Sequence, residues 1–208
     1  MTQVVDTNAD RVELRAVNKF AERRTELARA ALHTLGELGY ARTSLREIAQ
    51  NSEFSHGVLH YYFTDKVDLI THCVKLYKAE CVVRYDEIVA AAETAEALRT
   101  GFAAGMVATM EQDAPMHRLW YDLRNQALFE EVFGPDVGEM DQSLQQMIWR
   151  VVSRYAELRE TPLTVDPPFA YGLFDGLFRH ALGNHLHGGA DAGDRLRAQV
   201  CEALDRIF

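Results

Sequence analysis

The chain is short of cysteine and of long apolar runs. Its 208 residues contain only Cys73, Cys81 and Cys201, and no C-x-x-C pair. An odd cysteine count without that motif predicts reduced thiols in a cytoplasmic protein, with a redox role for Cys73 or Cys81 as the alternative. No apolar run reaches the ~18 residues of a membrane span. The first residues, MTQVVDTNADRVEL, lack the apolar core of a signal peptide.

Motifs of catalytic chemistry are also missing. The sequence has no glycine-rich phosphate loop, no H-E-x-x-H, no G-x-S-x-G and no paired metal carboxylates. We therefore predict no catalytic site, no metal and no cofactor. His56 and His60 have the one-turn spacing that suits zinc, and His180, His185 and His187 form a second group, but neither has a further ligand close in sequence.

Strand patterns are almost absent, whereas helical periodicity runs through most of the chain. The pattern predicts an all-α fold of eight or nine helices. We expect a flexible arm at residues 1–20 and a first helix at residues 22–38. A capping box at Ser44 and Glu47 starts a short second helix, and Ser55 caps a short third one. One long helix follows from about Asp65 to Ile88, and five more are expected near residues 94–110, 115–129, 136–159, 168–187 and 192–207.

The charge differs between the two parts of the chain. The net charge is −9, but residues 18–66 hold seven basic and six acidic residues, a balance of +1, and residues 67–208 hold thirteen and twenty-two, a balance of −9. An acidic body keeps a protein soluble and repels DNA from the wrong face. We predict a three-helix domain at residues 21–66 and a body of five to six helices at residues 67–208.

Residues 44–66, SLREIAQNSEFSHGVLHYYFTDK, have the layout of a helix-turn-helix. With the Gly39-Tyr40 pair, Ile48-Ala49, Gly57, Leu59 and Tyr62-Phe63, they resemble the N-terminal signature of TetR-like transcriptional repressors. The match covers about residues 23–70. Two positions depart from the signature: Glu53 stands where the turn usually has glycine, and His60 stands where tyrosine usually follows the leucine. The resemblance implies a homodimer on a palindromic operator, and a ligand pocket in the body whose occupancy releases DNA.

The third helix is expected to read DNA through its outward face. His56, Gly57 and His60 point outward if Val58, Leu59 and Phe63 pack on the core, and Arg46 can reach a guanine edge or a phosphate. The pattern does not decide which of Tyr61 and Tyr62 faces DNA. The complete set of predicted DNA-binding residues is Thr43, Ser44, Arg46, Ser55, His56, Gly57, His60, Tyr61, Tyr62 and Lys66.

The body is rich in aromatic residues and methionine, which form either plain core or an apolar pocket. Arg124 stands among apolar neighbours, so it must pair with Asp122 or Asp175 or await an anionic ligand. The predicted effector is a small, mainly hydrophobic molecule. The predicted pocket residues are Phe102, Met106, Met110, His117, Trp120, Tyr121, Arg124, Asn125, Phe129, Met147, Trp149 and Phe174.

The last two helices carry the predicted dimer surface, and the alternative is that they form monomer core. The residues are Phe169, Leu173, Gly176, Leu177, Leu196, Val200 and Leu204. Taken together, the sequence predicts a ligand-responsive DNA-binding regulator with a palindromic double-stranded operator, a small-molecule effector, a second copy of itself and no membrane partner. A helical enzyme and a protein-binding adaptor are the alternatives.

Overall fold

The computed structural model describes residues 8–39 and 43–207. These residues form ten α-helices and no strand, and a short 3-10 turn at Glu131–Phe133, so the prediction of an all-α chain is confirmed. In the described ranges, no helix combines the length and the apolar content needed to cross a bilayer. In chain order the helices are α1 Asn8–Leu38, α2 Leu45–Gln50, α3 His56–Tyr62, α4 Lys66–Cys81, α5 Asp86–Ala91, α6 Ala95–Gln112, α7 Ala114–Gln126, α8 Gly134–Arg159, α9 Pro167–Leu186 and α10 Ala192–Arg206.

The chain divides into two compact units, and the division falls inside α4 between Leu76 and Tyr77. The sequence placed the boundary earlier, between residues 66 and 67. A helix that carries apolar residues along its whole length gives no local sign of where one core ends and the next begins. Each unit is described below by itself.

The N-terminal unit packs α1, α2, α3 and the first part of α4 around a small core. Leu27, Ala31, Ile48, Leu59 and Ile70 are buried in it. Helix α1 ends at a glycine with φ of 74°, a backbone conformation that glycine adopts without steric cost. The amide of this Gly39 donates to the Leu35 carbonyl at 2.9 Å.

Helix α1 is longer than the sequence pattern predicted. It begins at Asn8, not near residue 22, and it has 31 residues. No glycine or proline interrupts residues 8–21, so nothing in the covalent chain stops the helix there. The predicted arm at residues 1–20 is therefore helical from Asn8 onward. Residues 1–7 of that arm, and Tyr40 of the signature, lie outside the described residues.

The C-terminal unit is a bundle built on α6, α8, α9 and α10. Helix α6 packs against α10, and α9 packs against both α8 and α10. Leu98, Phe102, Phe174, Leu196 and Leu204 are buried in its centre. Helices α6, α8 and α9 of this bundle contribute to the walls of the cavity described below.

The helix predicted as continuous to Ile88 is broken between Cys81 and Asp86. Tyr85 in the break packs edge-on against Phe102, with ring centroids 5.0 Å apart, and its hydroxyl donates to Thr109 Oγ1 at 3.4 Å. A Cβ on Gly105 would lie 3.1 Å from atoms of both Tyr85 and Ile88. These side chains pack closely against α6. Their tertiary contacts outweigh the local propensity of the chain to continue the helix.

Candidate functional site

The ends of α2 and α3 are fixed by their own side chains. The Glu47 amide donates to Ser44 Oγ at 3.2 Å, and the Ser44 amide donates to Glu47 Oε2 at 2.8 Å. Ser55 Oγ accepts from the Val58 amide at 3.3 Å. The capping box predicted at Ser44 is present, as is the predicted cap at Ser55. Because these bonds satisfy amides that a helix start leaves open, the two short helices hold their geometry.

The turn between α2 and α3 does not need glycine. Among the described residues that are not glycine, only Glu160 has a positive φ, so Glu53 carries no left-handed strain. The turn is closed locally by the Phe54 amide, which donates to Ser52 Oγ at 3.3 Å. The guanidinium of Arg23 lies 5.1 Å from the centroid of the Phe54 ring. Glutamate at the position usually held by glycine is thus compatible with this turn.

Helix α3 has one buried face and one exposed face. Leu59 and the following Phe63 are buried, while His56, Gly57 and His60 are exposed. The two histidine rings lie edge to face with centroids 4.4 Å apart. No group of three metal-ligating side chains is found among the residues with described side chains.

The two tyrosines that end α3 have different environments. Tyr61 is 72% exposed. Tyr62 is half-buried, and its ring centroid lies 4.7 Å from that of Phe20 on α1. The phenol open to an outside partner is therefore that of Tyr61, while Tyr62 packs against α1.

The other predicted contact residues fall into two groups. Ser44, Arg46 and Ser55 are exposed near the starts of α2 and α3, and Lys66 is half-buried at the start of α4. Thr43 is different, because it is buried and its hydroxyl donates to the Gly39 carbonyl at 2.5 Å. We correct its assignment from a DNA contact to a residue that ties the end of α1 to the start of α2.

The C-terminal unit contains a cavity between α6, α7, α8 and α9. Its volume is about 60 Å³, below the roughly 300–1,000 Å³ of sites for drug-sized molecules. Six of the predicted pocket residues line it: Met106, His117, Trp120, Tyr121, Met147 and Phe174. The chain therefore brings together half of the residues that the sequence proposed.

The other six predicted pocket residues do not line this cavity. Phe102 and Met110 are fully buried in the core, and Trp149 is half-buried outside the lining. Phe129 is 87% exposed and Asn125 is also exposed. Helix α7 ends at Gln126. Phe129 therefore lies beyond the end of the helix and not on its buried face, where the periodicity predicted it.

Arg124 is already neutralised beside the cavity. Its Nη1 donates to Asp175 Oδ2 at 2.7 Å, and its Nε lies 3.4 Å from Asp141 Oδ2. Tyr121 donates its hydroxyl proton to Asp175 Oδ1 at 2.9 Å. Of the alternatives for Arg124, pairing with Asp175 is the one realised, and Asp141 adds a partner that the sequence did not suggest.

Several lining residues were missed by the sequence analysis, chiefly Lys78, Arg84, Tyr171 and Asp175. The signal for Lys78 was present, because it lies one turn after Val74 on the apolar side of α4. Burial lowers the pKa of Lys78 to about 8. Burial, with smaller effects of Lys78 and Arg84, also holds the pKa of His117 well below its ordinary value.

The predicted dimer surface separates into an outer and an inner part. On α9, Phe169 is 58% exposed and Gly176 is exposed, while Leu173 and Leu177 are half-buried. A Cβ on Gly176 would meet no atom within 4 Å. The α10 residues Leu196, Val200 and Leu204 are buried within the unit itself. These three belong to the monomer core, so we correct that part of the prediction and keep the α9 part as a candidate surface.

The comparisons with known proteins agree with this geometry. The family model described as bacterial regulatory proteins, tetR family, matches residues 27–73. A search of curated proteins finds no match. Among solved structures, a TetR transcription regulator from Haloarcula marismortui is 18% identical with a TM-score of 0.72, covering 89% of this chain and 98% of its own.

Two further solved structures share the fold. FadR from Bacillus subtilis, in complex with stearoyl-CoA, is 17% identical with a TM-score of 0.71, covering 88% of this chain and 97% of its own. The ketosteroid regulator KstR2 of Mycobacterium tuberculosis is 18% identical with a TM-score of 0.64, covering 89% and 95%.

Fold and site together define an all-α helix-turn-helix protein with a mainly apolar cavity in its second unit. Residues 27–73 match the model of bacterial regulatory proteins, tetR family, and the chain as a whole has the fold of solved structures of TetR-family regulators. The matched model and the solved structures are those of regulatory proteins, which favours a regulator over the enzyme alternative.

Proposed function

We propose that the protein is a transcriptional repressor that binds a palindromic operator as a homodimer and leaves it when a small, mainly apolar molecule fills the cavity. The observation that carries the DNA-binding step is the outward face of α3. Leu59 points into the core, and His56, Gly57 and His60 point away from it.

The front of α3 is slim enough for a major groove about 12 Å wide. Around Gly57, a Cβ would meet only Ser55 Oγ, at 4.0 Å, so the backbone itself is open to close approach by DNA. His56 and His60 offer ring nitrogens to base edges or phosphates. Because Ser55 Oγ uses a lone pair for its cap, its hydroxyl proton is still available to a phosphate oxygen.

The residues around this tip suit the sugar-phosphate backbone. Arg46 projects from the first turn of α2, where a guanidinium can grip a phosphate or a guanine edge bidentately. Tyr61 exposes its phenol, and Lys66 adds a cation at the start of α4. Contacts to phosphate position the reader, while contacts of α3 to base edges give sequence preference.

A dimer follows from the need to read two half-sites. One reader of this size binds weakly, whereas two recognition helices about 34–36 Å apart match one turn of DNA. The exposed face of α9 around Phe169 and Gly176 has the large apolar side chain and the open glycine that close helix approach uses. We infer that this face meets its copy in a second chain.

The release step rests on the cavity and on the relatives. The walls are mainly apolar, and FadR, which has the same fold, was solved with stearoyl-CoA bound. A molecule acts as an effector only if it binds the form that leaves DNA more tightly than the form that holds it, typically by ~1–3 kcal/mol.

The test is operator binding by designed variants. Duplexes selected from genomic DNA are titrated with the full-length protein and followed by fluorescence anisotropy. We expect Arg46→Ala and His56→Ala each to weaken binding by roughly 5- to 150-fold, the equivalent of 1–3 kcal/mol per base contact. Arg206→Ala, which removes an exposed cation at the end of α10, is the matched control and should bind like the parent. Unchanged affinity of the first two variants would refute the assigned contacts.

A further inference from the structure

The cavity wall contains a cation without a carboxylate partner. Lys78 is only 4% exposed, and its Nζ lies 5.1 Å from the centroid of the Trp120 ring and 5.4 Å from that of Tyr77. No ion pair of the described residues includes Lys78. Aromatic faces attract an ammonium group, but they offer it no hydrogen-bond acceptor comparable to a carboxylate.

The other charges at the cavity are matched by partners. Arg84 Nη1 lies 2.8 Å from Asp113 Oδ2, and Arg124 bonds to Asp175 and lies close to Asp141, as described above. Each of these guanidinium groups therefore has a carboxylate within ion-pair distance. Among the cations at the cavity, Lys78 differs in having no such partner among the described residues.

A second polar group of the wall also lacks a partner. The indole Nε1 of Trp120 is buried and has no hydrogen-bond acceptor, although the Trp120 ring forms part of the cavity lining. Buried N–H groups without an acceptor are rare because each costs the free energy of a lost hydrogen bond. Among the described residues, the cavity wall thus includes a cation without an ion-pair partner and a tryptophan whose N–H has no acceptor.

The rest of the lining favours an apolar occupant. Met106, Leu144, Met147, Ile148 and Phe174 supply hydrocarbon, thioether and aromatic surface. A molecule that buries an apolar body here gains from the hydrophobic effect. Its polar end has to carry acceptors and one negative charge to satisfy both unpaired groups.

We propose that the cavity binds an apolar molecule with a single carboxylate, whose oxygens accept hydrogen bonds from Lys78 Nζ and Trp120 Nε1. This inference rests on the proposed function, because it names the chemical class of the effector. A single carboxylate supplies the ion-pair partner that Lys78 lacks, whereas a doubly charged phosphate would add a second buried negative charge. The anchor is Lys78 and not Arg124, since Arg124 is already held by Asp175.

The test measures direct binding by calorimetry with the full-length protein and no DNA. The probes are octanoate, decanoate, dodecanoate and 4-phenylbutyrate, each against the alcohol of the same carbon skeleton. We expect at least one acid to bind more tightly than its alcohol. Lys78→Met, which keeps the length of the side chain and removes the charge, should weaken that acid at least ~30-fold, the range for breaking a buried charge pair, and leave the alcohol unchanged.

Further variants keep the test decisive. Trp120→Phe removes the N–H donor together with part of the ring, so the alcohol reports the change in cavity shape, and the acid should lose more affinity than its alcohol. Lys78→Arg retains the charge and should keep the preference for the acid, and Arg206→Met is a cation control outside the cavity. Equal binding of acids and alcohols, failure of every acid to bind, or an undiminished preference in both Lys78→Met and Trp120→Phe would overturn the proposal.

Operator binding is measured on the same preparations by anisotropy. A protein that holds its duplex but shows no preference for acids refutes only the carboxylate site. A protein that prefers acids but binds no duplex refutes the regulator function and leaves the carboxylate site standing.

Discussion

In the N-terminal unit the polar side chains of interest lie on the surface, next to helix ends that Ser44, Glu47 and Ser55 already cap. In the C-terminal unit they line a cavity, and among the described residues Lys78 has no ion-pair partner and the indole N–H of Trp120 has no acceptor. In the N-terminal unit the helix ends are capped in the free protein, and the exposed side chains are available to a large polar partner. In the C-terminal unit we expect a small molecule to supply the acceptor that Lys78 and Trp120 lack.

This contrast separates two kinds of recognition. Exposed histidine and arginine side chains cost little to leave in water, so the proposed DNA-binding face of α3 need not be optimised for stability. A buried ammonium without a partner costs stability, so its presence in the cavity points to binding. The predictions below test the contrast, from the largest expected effect to the smallest.

The largest effect is expected from charging the exposed face of α9. Arginine at Gly176 meets no atom of its own chain near the new Cβ, so Gly176→Arg should fold normally but lose the dimer. Operator affinity should then fall by ~100-fold or more, because linked half-sites gain 10²–10⁴ over single ones. Analytical ultracentrifugation and anisotropy check the two effects.

Gly138 on α8 provides the matched control for this variant. It is exposed, and a Cβ there also meets no atom within 4 Å. Gly138→Arg adds the same charge outside the proposed interface and should stay dimeric with full operator affinity. A dimeric Gly176→Arg protein, or loss of the dimer in both variants, would contradict the assignment of the α9 face.

Removing the buried charge of Lys78 should stabilise the fold. Burial lowers the pKa of Lys78 from 10.5 to about 8, with Cys81 and Asp175 opposing the shift and Arg84 and Arg124 adding to it. A displacement of that size corresponds to ~3 kcal/mol. We expect Lys78→Met to be more stable than the parent at pH 7 by up to this amount in urea unfolding.

The stability of the parent protein should depend on pH because the pKa of Lys78 is lower in the folded chain than in the unfolded chain. Between pH 8 and 10.5 the unfolded chain holds a proton at Lys78 that the folded chain has lost, so the parent gains stability as the pH rises. The advantage of Lys78→Met should therefore shrink over that range. A constant difference between pH 7 and 10.5 would mean that the ammonium is not destabilised in the cavity.

His117 should make the fold sensitive to acid. Its imidazole is buried and lies 2.9 Å from the Tyr77 hydroxyl, and its pKa is held well below 6.5. Below pH 6.5 the unfolded chain therefore takes up a proton that the folded chain resists, and stability falls by up to ~1.4 kcal/mol per pH unit. His117→Gln, which does not titrate, should show a smaller loss of unfolding free energy between pH 7 and 5. If the unfolding free energies of the two proteins fell equally between pH 7 and 5, the pKa of His117 would not be lowered in the folded chain.

The smallest effect concerns Thr43. Thr43→Val removes the hydroxyl that donates to the Gly39 carbonyl and should cost ~1 kcal/mol of unfolding free energy. Its operator affinity should match that of the parent at temperatures where both are folded. A loss of affinity comparable to that of Arg46→Ala would return Thr43 to the DNA contacts.

The parts of the structure that were predictable from sequence depend on short-range interactions. The caps at Ser44 and Ser55 join residues three apart, and the alternation of Leu59 with exposed neighbours follows from helical spacing. The resemblance to the TetR-like signature lies in this same local segment. The exposed positions of His56 and His60 were predicted correctly for that reason.

The parts that were missed depend on contacts between distant residues. The break after Cys81 follows from the packing of Tyr85 against Phe102 and Thr109. The burial of Leu196 and Leu204 depends on which side of α10 meets the bundle, and one apolar stripe looks the same in a core and in an interface. Lys78 was overlooked because a single charged residue in a helix is usually on the surface.

The most direct test of the account is the spacing preference of operator binding by the unmodified protein. Two half-sites from a selected operator are placed in duplexes with their centres about 10 bp apart or shifted by about 5 bp, half a turn. We predict one dimer per duplex at the first spacing, an affinity that falls steeply with salt, and much weaker binding at the second. Equal affinity at both spacings, or binding of one chain per duplex, would contradict a homodimer that binds two half-sites through its two copies of α3.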